Sequence, residues 1–458
     1  MQNKVSNLVI LLTFICSFIF LNCITSKDIY TDSGELIRPT IAVNADPGEN
    51  SNQSFSQNSI TEMKADLVDN VNLPLLYALV RSSNPGLLAK MAKVHEADGQ
   101  KMQAGVLENP EFRTYINRIP LTSENSIEEG NVRFRILQPI DISGGISADI
   151  KIARARHLEA TWEMIDAEQR MKILSAYAFV DYWMSKDILD LVTNLKAART
   201  KEYEIVNKEV DSGKSTKVKL LKYHQLLTDA SLAYETAKSN VETAKNNMQS
   251  LIGDFTLVFG DPEFNTALDF DEIDNQNLAE LAKNHPAYMA AMQNVTAFEE
   301  EQVKENGKHL KKMKVGLEYE FENDGQNHWM NLIFEVPFPL WDFGKGNKYS
   351  AKARVFIAKM QAQSVFVKIQ NEIAEAFNRF DSLKSKAQII SEYLVEKRTL
   401  TDEIVNGQAS VTTLFDALES QAELINYELQ ALENKLELYK TFFFLYVSQH
   451  GKYPEFKD

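Results

Sequence analysis

The stretch that decides the fold is LQPIDISGGISADIKIARAR, residues 137–156, because the chain repeats it as VPFPLWDFGKGNKYSAKAR at 336–354. Pro139, Gly144 and Ala153-Arg154 return as Pro339, Gly344 and Ala353-Arg354. Working outward, the correspondence continues on both sides. Asn84-Pro85, in ALVRSSNPGLLAKMAKV, returns as His285-Pro286, in ELAKNHPAYMAAMQNV. Gly213, ahead of KSTKVKLL, returns as Gly407, ahead of QASVTTLF. Each copy therefore has one plan: a helix, two strands, a very long helix, a Gly turn and another long helix. A duplication this large is one architecture, so chain length does not count domains here.

Upstream of the first repeat motif, NVRFRI alternates, with Val132, Phe134 and Ile136 on one side and Asn131, Arg133 and Arg135 on the other. EFRTYINRI is a noisier strand. The second copy is plainer. Val315, Leu317, Tyr319 and Phe321 alternate with Lys314, Gly316, Glu318, Glu320 and Glu322, and Met330, Leu332, Phe334 and Val336 oppose Asn331 and Glu335. Period-two alternation gives a sheet with one oily and one wet side. The polar segments PLTSENSIEEG and NDGQN read as exposed hairpin loops.

Downstream, no proline interrupts the chain between Pro139 and Pro262 or between Pro339 and Pro454. Residues 146–208 and 347–405 are expected to form helices of about 90 Å each at 1.5 Å per residue. The helix after each Gly turn steps by three and four. Leu220, Tyr223, Leu227, Ala230, Tyr234, Ala237, Val241, Ala244, Met248 and Leu251 mark one seam. Leu414, Leu418, Ala422, Ile425, Leu429, Leu432, Leu436, Tyr439 and Phe443 mark the other. This is coiled-coil spacing. Gly213 and Gly407 suit a reversal that needs left-handed backbone. Gly144, Gly145, Gly344 and Gly346 mark strand-to-helix junctions, with Pro337 and Pro339 stiffening the second.

The ends carry different signals. Lys4 precedes an apolar run from Leu8 to Leu21, 14 residues long, which suits a secretion signal and is short for a membrane span. Cys23 follows it after Asn22, as in a bacterial lipobox, where a small residue is usual at the position of Asn22. We expect cleavage at 22 and lipidation of Cys23. Cys16 lies inside the signal, so the remaining chain has no thiol pair and no disulfide. Residues 24–60 are polar and read as a tether, with ordered structure expected from about Leu73. The divisions expected are 1–22 signal, 23–70 lipidated tether, 71–260 first repeat, 261–276 linker, 277–450 second repeat and 451–458 tail.

The net charge is −15, and residues 1–22 hold one Lys and no acid, leaving −16 without them. That balance speaks against a nucleic-acid partner. SGKST at 212–216 lacks the upstream Gly of a phosphate loop, since Lys208 stands there. DFDEID at 269–274 fails the calcium-loop pattern. The seven histidines form no i, i+4 pair. No catalytic set, metal site or cofactor is expected.

Four strands cannot close a membrane barrel, which needs about eight. An open sheet edge is not tolerated in hydrocarbon. An oily-outside, wet-inside sheet in an exported lipoprotein therefore implies that several copies build one barrel. Arg133, Arg135, Glu318, Glu320, Asn331 and Glu335 are the candidate lumen residues. Trp329 and Trp341 flank the fourth strand and suit interfacial anchors.

NPGLLAKMAKVHEADGQKMQAGVLENPEF, the two junction segments and GQASVTTLFDALESQAEL resemble, in order and in both repeats, the signature segments of the TolC-type outer-membrane efflux channels. QAGVLENPEF is most similar to the heavy-metal, CzcC-like branch. The resemblance implies a mainly α chain with a small antiparallel β part, two repeats of long coiled-coil helices plus β-hairpins. It implies a homotrimer with a twelve-stranded outer-membrane barrel on a periplasmic helical tunnel. It also implies a periplasmic adaptor and an inner-membrane pump, often of the RND type, as partners, and passive, non-enzymatic export of metal cations or small toxic compounds.

In the family the helical turns form the tunnel tip, with the pattern Gly-x-x-Ser/Thr-x-x-Asp-x-x-Asp. Gly407, Ser410 and Asp416 fit it, with Thr413 in place of the first Asp. Gly213 and Thr216 fit it, with Lys219 and Lys222 in place of both acids. The resemblance makes these turns the adaptor contact and Asp416 the gate candidate, while Lys219 and Lys222 suit salt bridges to a neighbouring helix or the adaptor. Two other readings stay open: the outer-membrane duct of an ABC-type secretion system, and a periplasmic coiled-coil scaffold lipoprotein with no pore.

Overall fold

The computed structural model describes residues 57–117, 131–262, 268, 270, 273, 277–308, 312–322, 327–338, 340–405 and 414–454. The expected signal, Cys23, the first hairpin loop, residues 323–326 of the second, Pro339, Gly407, Ser410 and Thr413 lie outside them.

Each repeat opens on a helix restarted at proline. In the first, α1 (Gln57–Asp69), β1 (Asn70–Val71) and α2 (Leu73–Ser83) lead to α3 (Pro85–Ala104). Asn84 ends α2 and starts α3, its Oδ1 accepting the Leu87 N–H at 3.0 Å. Proline at the first helical position needs no N–H there, so the helix restarts without an orphan donor. In the second, α6 (Leu278–Asn284) gives way to α7 (Pro286–Gly307), and His285 Nδ1 accepts the Ala287 N–H at 3.2 Å. The duplicated dipeptide is thus a duplicated cap.

The strands follow: β2 (Glu111–Asn117) and β3 (Asn131–Asp141) in one copy, β5 (Lys312–Glu322) and β6 (His328–Glu335) in the other. They form one antiparallel sheet in the order β2-β3-β5-β6, so the two hairpins join through β3 and β5. Each hairpin feeds a very long helix, α4 (Gly145–Asp211) and α8 (Lys345–Val405). Gly144 and Gly344 stand ahead of these helices with φ of 75° and 68°, a left-handed turn that glycine adopts without strain. Asp141 caps the first junction, accepting the Ile146 N–H at 2.7 Å, and Asp342 accepts the Gly344 N–H at 2.8 Å at the second. The return helices are α5 (Lys217–Ile252) and α9 (Leu414–His450). Gly213, with φ of 72°, takes the left-handed position in the first reversal.

The helices lie side by side as a wall. Near the sheet the order is α3, α4, α7, α8, and farther away it is α5, α4, α9, α8. α4 and α8 run the whole length, while α3 and α5 share one column and α7 and α9 another. The first shared column meets end to end: Asn84 Nδ2 donates to the Leu251 carbonyl at 2.7 Å, and Pro85 packs against Gly253. Each strand continues into one column. The coiled-coil seam on α5 is realised, with Tyr223, Ala230, Ala237, Val241, Ala244 and Met248 buried, and on α9 Leu418, Ala422, Ile425, Tyr439 and Phe443 are buried.

The largest core sits at mid-height, where the columns change helices. Phe179 and Tyr182 of α4, Phe442 and Phe443 of α9, and Leu76 and Leu79 of α2 centre it. Three segments at the edges of the repeats join this core, and the first corrects the expected start of order. The expected 23–70 tether contains α1 and ends in β1, with Leu67 and Val71 apolar and fully buried in this core. Ordered structure therefore begins before Leu73. The 261–276 linker supplies β4 (Asp261–Pro262), parallel to β1, and Phe270 packs on Phe380, Tyr439 and Phe442. The 451–458 tail docks as far as it is described. The Tyr453 hydroxyl donates to the Lys172 carbonyl at 2.9 Å, and Lys172 Nζ donates to the Gly451 carbonyl at 2.6 Å.

Candidate functional site

The sheet has two unlike faces. Register puts Val132 opposite Phe321, Phe134 opposite Tyr319 and Ile136 opposite Leu317. On the flanking strands, Phe112 and Ile116 of β2 and Met330, Leu332 and Phe334 of β6 share that face. It is bare: Phe112 is 65% exposed, Leu332 59% and Phe334 63%. Phe112, Phe134 and Phe321 stack across three strands at centroid spacings of 6.3 Å. A water-facing sheet does not leave such a patch uncovered.

The opposite face carries every one of the six candidate lumen residues, and it brings them together. Arg133 pairs with Glu320 at 3.1 Å. Arg135 reaches Glu318 at 2.7 Å and Glu335 at 3.5 Å, while Asn331 Nδ2 donates to Glu318 at 3.3 Å. The arginines come from β3 and the glutamates mainly from β5, so the pairs staple the two repeats across their shared seam. Glu318, 5% exposed, tolerates that burial because Arg135 and Asn331 satisfy both its oxygens. Sequence reasoning missed Tyr115, which stacks under Arg135 at 5.3 Å, and the pairing of Glu111 with both Arg113 and Lys314. All lie on or against β2, whose alternation is blurred by Thr114.

Trp329 departs from its expected role. It sits opposite Glu320, on the polar face, so it does not face outward as a lipid anchor. The period-two count places it there once Asn331 and Glu335 are fixed. Trp341 lies past the strand and is 93% exposed.

At the far end of the wall, Thr216 caps α5, its hydroxyl accepting the Lys219 N–H at 3.3 Å. Lys219 Nζ pairs with Glu209 of α4 at 3.3 Å and lies 4.7 Å from the Phe415 ring centre on α9. Asp416 is exposed in the first turn of α9. A few turns up, the Tyr223 hydroxyl donates to Glu419 at 3.2 Å, linking the two helical hairpins. Burial and the Glu419 charge push the Tyr223 hydroxyl up to about 12. Nearby, Glu202 is fully buried beside Arg199 at 2.8 Å, and burial raises its carboxyl above the ordinary range.

Both margins of the wall are unfinished. β2 and β6 have no strand on their outer edges among the described residues. The outermost helices present Val218, Leu221 and Leu232 on one margin and Phe356, Met360 and Val367 on the other, all exposed. Among the described residues no group of three or more His, Cys, Asp or Glu side chains could hold a metal ion, and no helix is long and apolar enough to cross a membrane.

The family described as Outer membrane efflux protein matches residues 76–254. The chain is 20% identical over 370 residues to the cobalt-zinc-cadmium resistance protein CzcC of Cupriavidus metallidurans, covering 79% of this chain and 86% of that protein. Two crystal structures share its fold. A membrane protein from Pseudomonas aeruginosa superposes with a TM-score of 0.69 at 15% identity, over 82% of this chain and 93% of its own. The outer membrane protein VceC from Vibrio cholerae superposes with a TM-score of 0.68 at 16% identity, over 86% of this chain and 98% of its own. The family match thus covers most of the first repeat, and the fold shared with these structures extends along most of the chain.

Proposed function

We propose that this protein is a passive outer-membrane exit channel of a tripartite efflux pump, passing metal cations or small toxic compounds. The observation that carries the reading is the pairing of an uncovered oily sheet face with an ion-paired polar face on a sheet open at both edges. Hydrocarbon accepts the first face, water needs the second, and hydrocarbon does not accept the open edges. Copies joined β2 to β6 remove them. Three copies give twelve strands and continue as a closed wall of helix columns.

In this reading Arg133, Arg135, Glu318, Glu320, Asn331 and Glu335 line the barrel lumen. The reversal at Gly213, Thr216 and Lys219, with its counterpart at Gly407, Ser410 and Thr413, forms the periplasmic tip that meets the adaptor. Asp416 lies at the gate, and Cys23 carries the lipid anchor. An RND-type inner-membrane pump supplies the energy. The likeness to a cobalt-zinc-cadmium resistance protein supports divalent metal cations as the first cargo to test.

Deleting the gene should sensitise cells to one or more of zinc, cobalt, nickel, copper and silver, with resistance restored by the intact gene. Sensitivity confined to detergents, dyes and hydrophobic antibiotics would replace metal by organic cargo. Unchanged growth on all of them, with a protein missing from the culture medium, would move the channel to a secretion system.

A further inference from the structure

We infer that the junction between β6 and α8 docks on anionic phospholipid headgroups at the periplasmic rim of the outer membrane. The inference rests on the channel reading, which sets the oily sheet face in hydrocarbon. Val336, Phe338 and Leu340 keep the oily parity of Leu332 and Phe334 beyond the end of β6, and all three are exposed. Trp341, Phe343 and Tyr349 follow, also exposed. Asp141, Ser143 and Asp149 hold the equivalent places in the first repeat, where Asp141 and Ser143 accept backbone N–H groups at the start of α4. The aromatic collar therefore belongs to the second junction alone.

Directly after Phe343 come Lys345, Lys348 and Lys352, where the first repeat has Gly145, Ala148 and Ile152. Steps of three and four put the lysines on one stripe of α8, rising about 10 Å at 1.5 Å per residue. Among the described residues none of the three has a carboxylate partner. The next lysines along α8 do: Lys359 pairs with Glu299 at 2.7 Å and Lys368 with Glu372 at 3.7 Å. Nor do the three steady the helix, since a cation at a helix start opposes its dipole and the first turn of α8 holds no acid.

The stripe lies on the side of the wall away from the proposed lumen. Glu301 of α7 pairs with Arg156, which lines a cavity with Asp141 and Lys312 of the polar sheet face. Arg354 of α8 reaches Glu301 at 3.5 Å, so it marks the lumen side. Lys352, two residues before it, stands about 160° round the helix. Lys359 agrees with this, because its partner Glu299 is likewise two residues from Glu301 on α7.

Oily collar and lysine stripe thus follow one another from hydrocarbon towards water. A headgroup layer is roughly 5–8 Å deep on each side of the hydrocarbon, so lysines on the first two turns of α8 reach its phosphates. Unpaired cations fit a headgroup of net negative charge better than a zwitterion, which brings its own ammonium to them. Each lysine held near an anionic surface adds roughly fivefold to affinity. A carboxylate from the next copy is the competing partner, and the test separates the two.

That test is native mass spectrometry of the purified full-length protein in detergent. The lipids titrated are dioleoylphosphatidylglycerol and dioleoylphosphatidylcholine, which share acyl chains and differ in headgroup charge. Phosphatidylglycerol should bind at least about tenfold more tightly. A Lys345→Gln/Lys348→Gln/Lys352→Gln variant should lose that preference, and Lys345→Arg/Lys348→Arg/Lys352→Arg should keep it. Trp341→Ser should weaken both lipids alike. Equal binding of the two lipids, an unchanged preference in the Gln variant, or displacement of phosphatidylglycerol by inorganic phosphate would each overturn the inference. So would a Gln variant whose oligomer falls apart, since the lysines would then serve the next copy. A protein that conducts in phosphatidylcholine bilayers and shows no preference loses the lipid site alone. One that stays in solution without detergent and takes up neither lipid loses the channel reading with it.

Discussion

At Gly316 the polar face has no room for a side chain. A Cβ there would come 2.0 Å from the Ile136 carbonyl oxygen and 2.7 Å from Leu137 Cδ2. Backbone at the centre of a sheet cannot retreat, so Gly316→Ala should lose about 1–3 kcal/mol, the usual range for overpacking. Gly346 is the matched control, with nothing within 4 Å of its Cβ position. Thermal melting of the two variants checks this; equal melting would show that β5 is not held as described. His285 gives a second residue-scale expectation. Asn84 is its counterpart in the first repeat, but His285 also faces Asp166, with Nδ1 3.9 Å from Oδ1. Burial holds its pKa below the ordinary histidine value, against the Asp166 charge. The unfolded chain therefore takes up the proton first as pH falls. The neutral ring's stability is fully present above about pH 6.5, the unfolded value, and declines below it, by up to about 1.4 kcal/mol per pH unit. His285→Asn, which restores the first-repeat cap, should flatten part of that decline in melting temperature between pH 7.5 and 5. Arg170 on α4 and Glu372 on α8 complete its charged surroundings, and His157 beside Asp98 titrates in the same direction. An unchanged slope would remove His285 from the acid response.

Among the elements, the helices and the sheet were legible to different depths. The heptads of α5 and α9 fixed their buried seams, because a steady three-four spacing admits one buried stripe. The alternation of β3, β5 and β6 fixed both faces of the sheet, and from it the six polar-face residues. Their mutual pairing was not legible, since it depends on the β3–β5 register, which joins residues nearly a repeat apart. The same blindness hid β1 and β4: two residues paired with two others carry no periodicity. α1 was hidden by its polar neighbourhood, although Leu67 is fully buried. The reversals show a different limit. The Gly213 turn was legible from one glycine, while the partner of Lys219 required the neighbouring α4 to be in place. Asp416, exposed at the start of α9, belongs to this element. In the proposed trimer it would give a ring of carboxylates, which favours cations. Asp416→Ala should lower cation-over-anion selectivity, read as a shift in reversal potential under a salt gradient. An unchanged reversal potential would place the gate elsewhere.

For the whole molecule, the duplication explains why one chain is incomplete. Two copies of a strand-and-column unit meet at β3–β5 and at α4 with α7 and α9, and each leaves its other side bare. The inner seam is covered within the chain by arginine on one copy and glutamate on the other. The outer seam has the same architecture and no strand partner among the described residues. Charge is also unevenly spread. The described polar face sets Arg113, Arg133, Arg135, Lys312 and Lys314 against Glu111, Asp141, Glu318, Glu320 and Glu335, so most of the acidity of the chain resides elsewhere. The central claim is that copies of this chain close into an aqueous pore. Its most direct test is single-channel recording of the purified full-length protein in planar bilayers, using material that runs as a heat-dissociable trimer. The account predicts discrete, long-lived conductance steps from the trimer and none from the heat-dissociated chains. A stable helical oligomer that inserts without conducting, or stays in solution, would contradict it and leave a coiled-coil scaffold in its place.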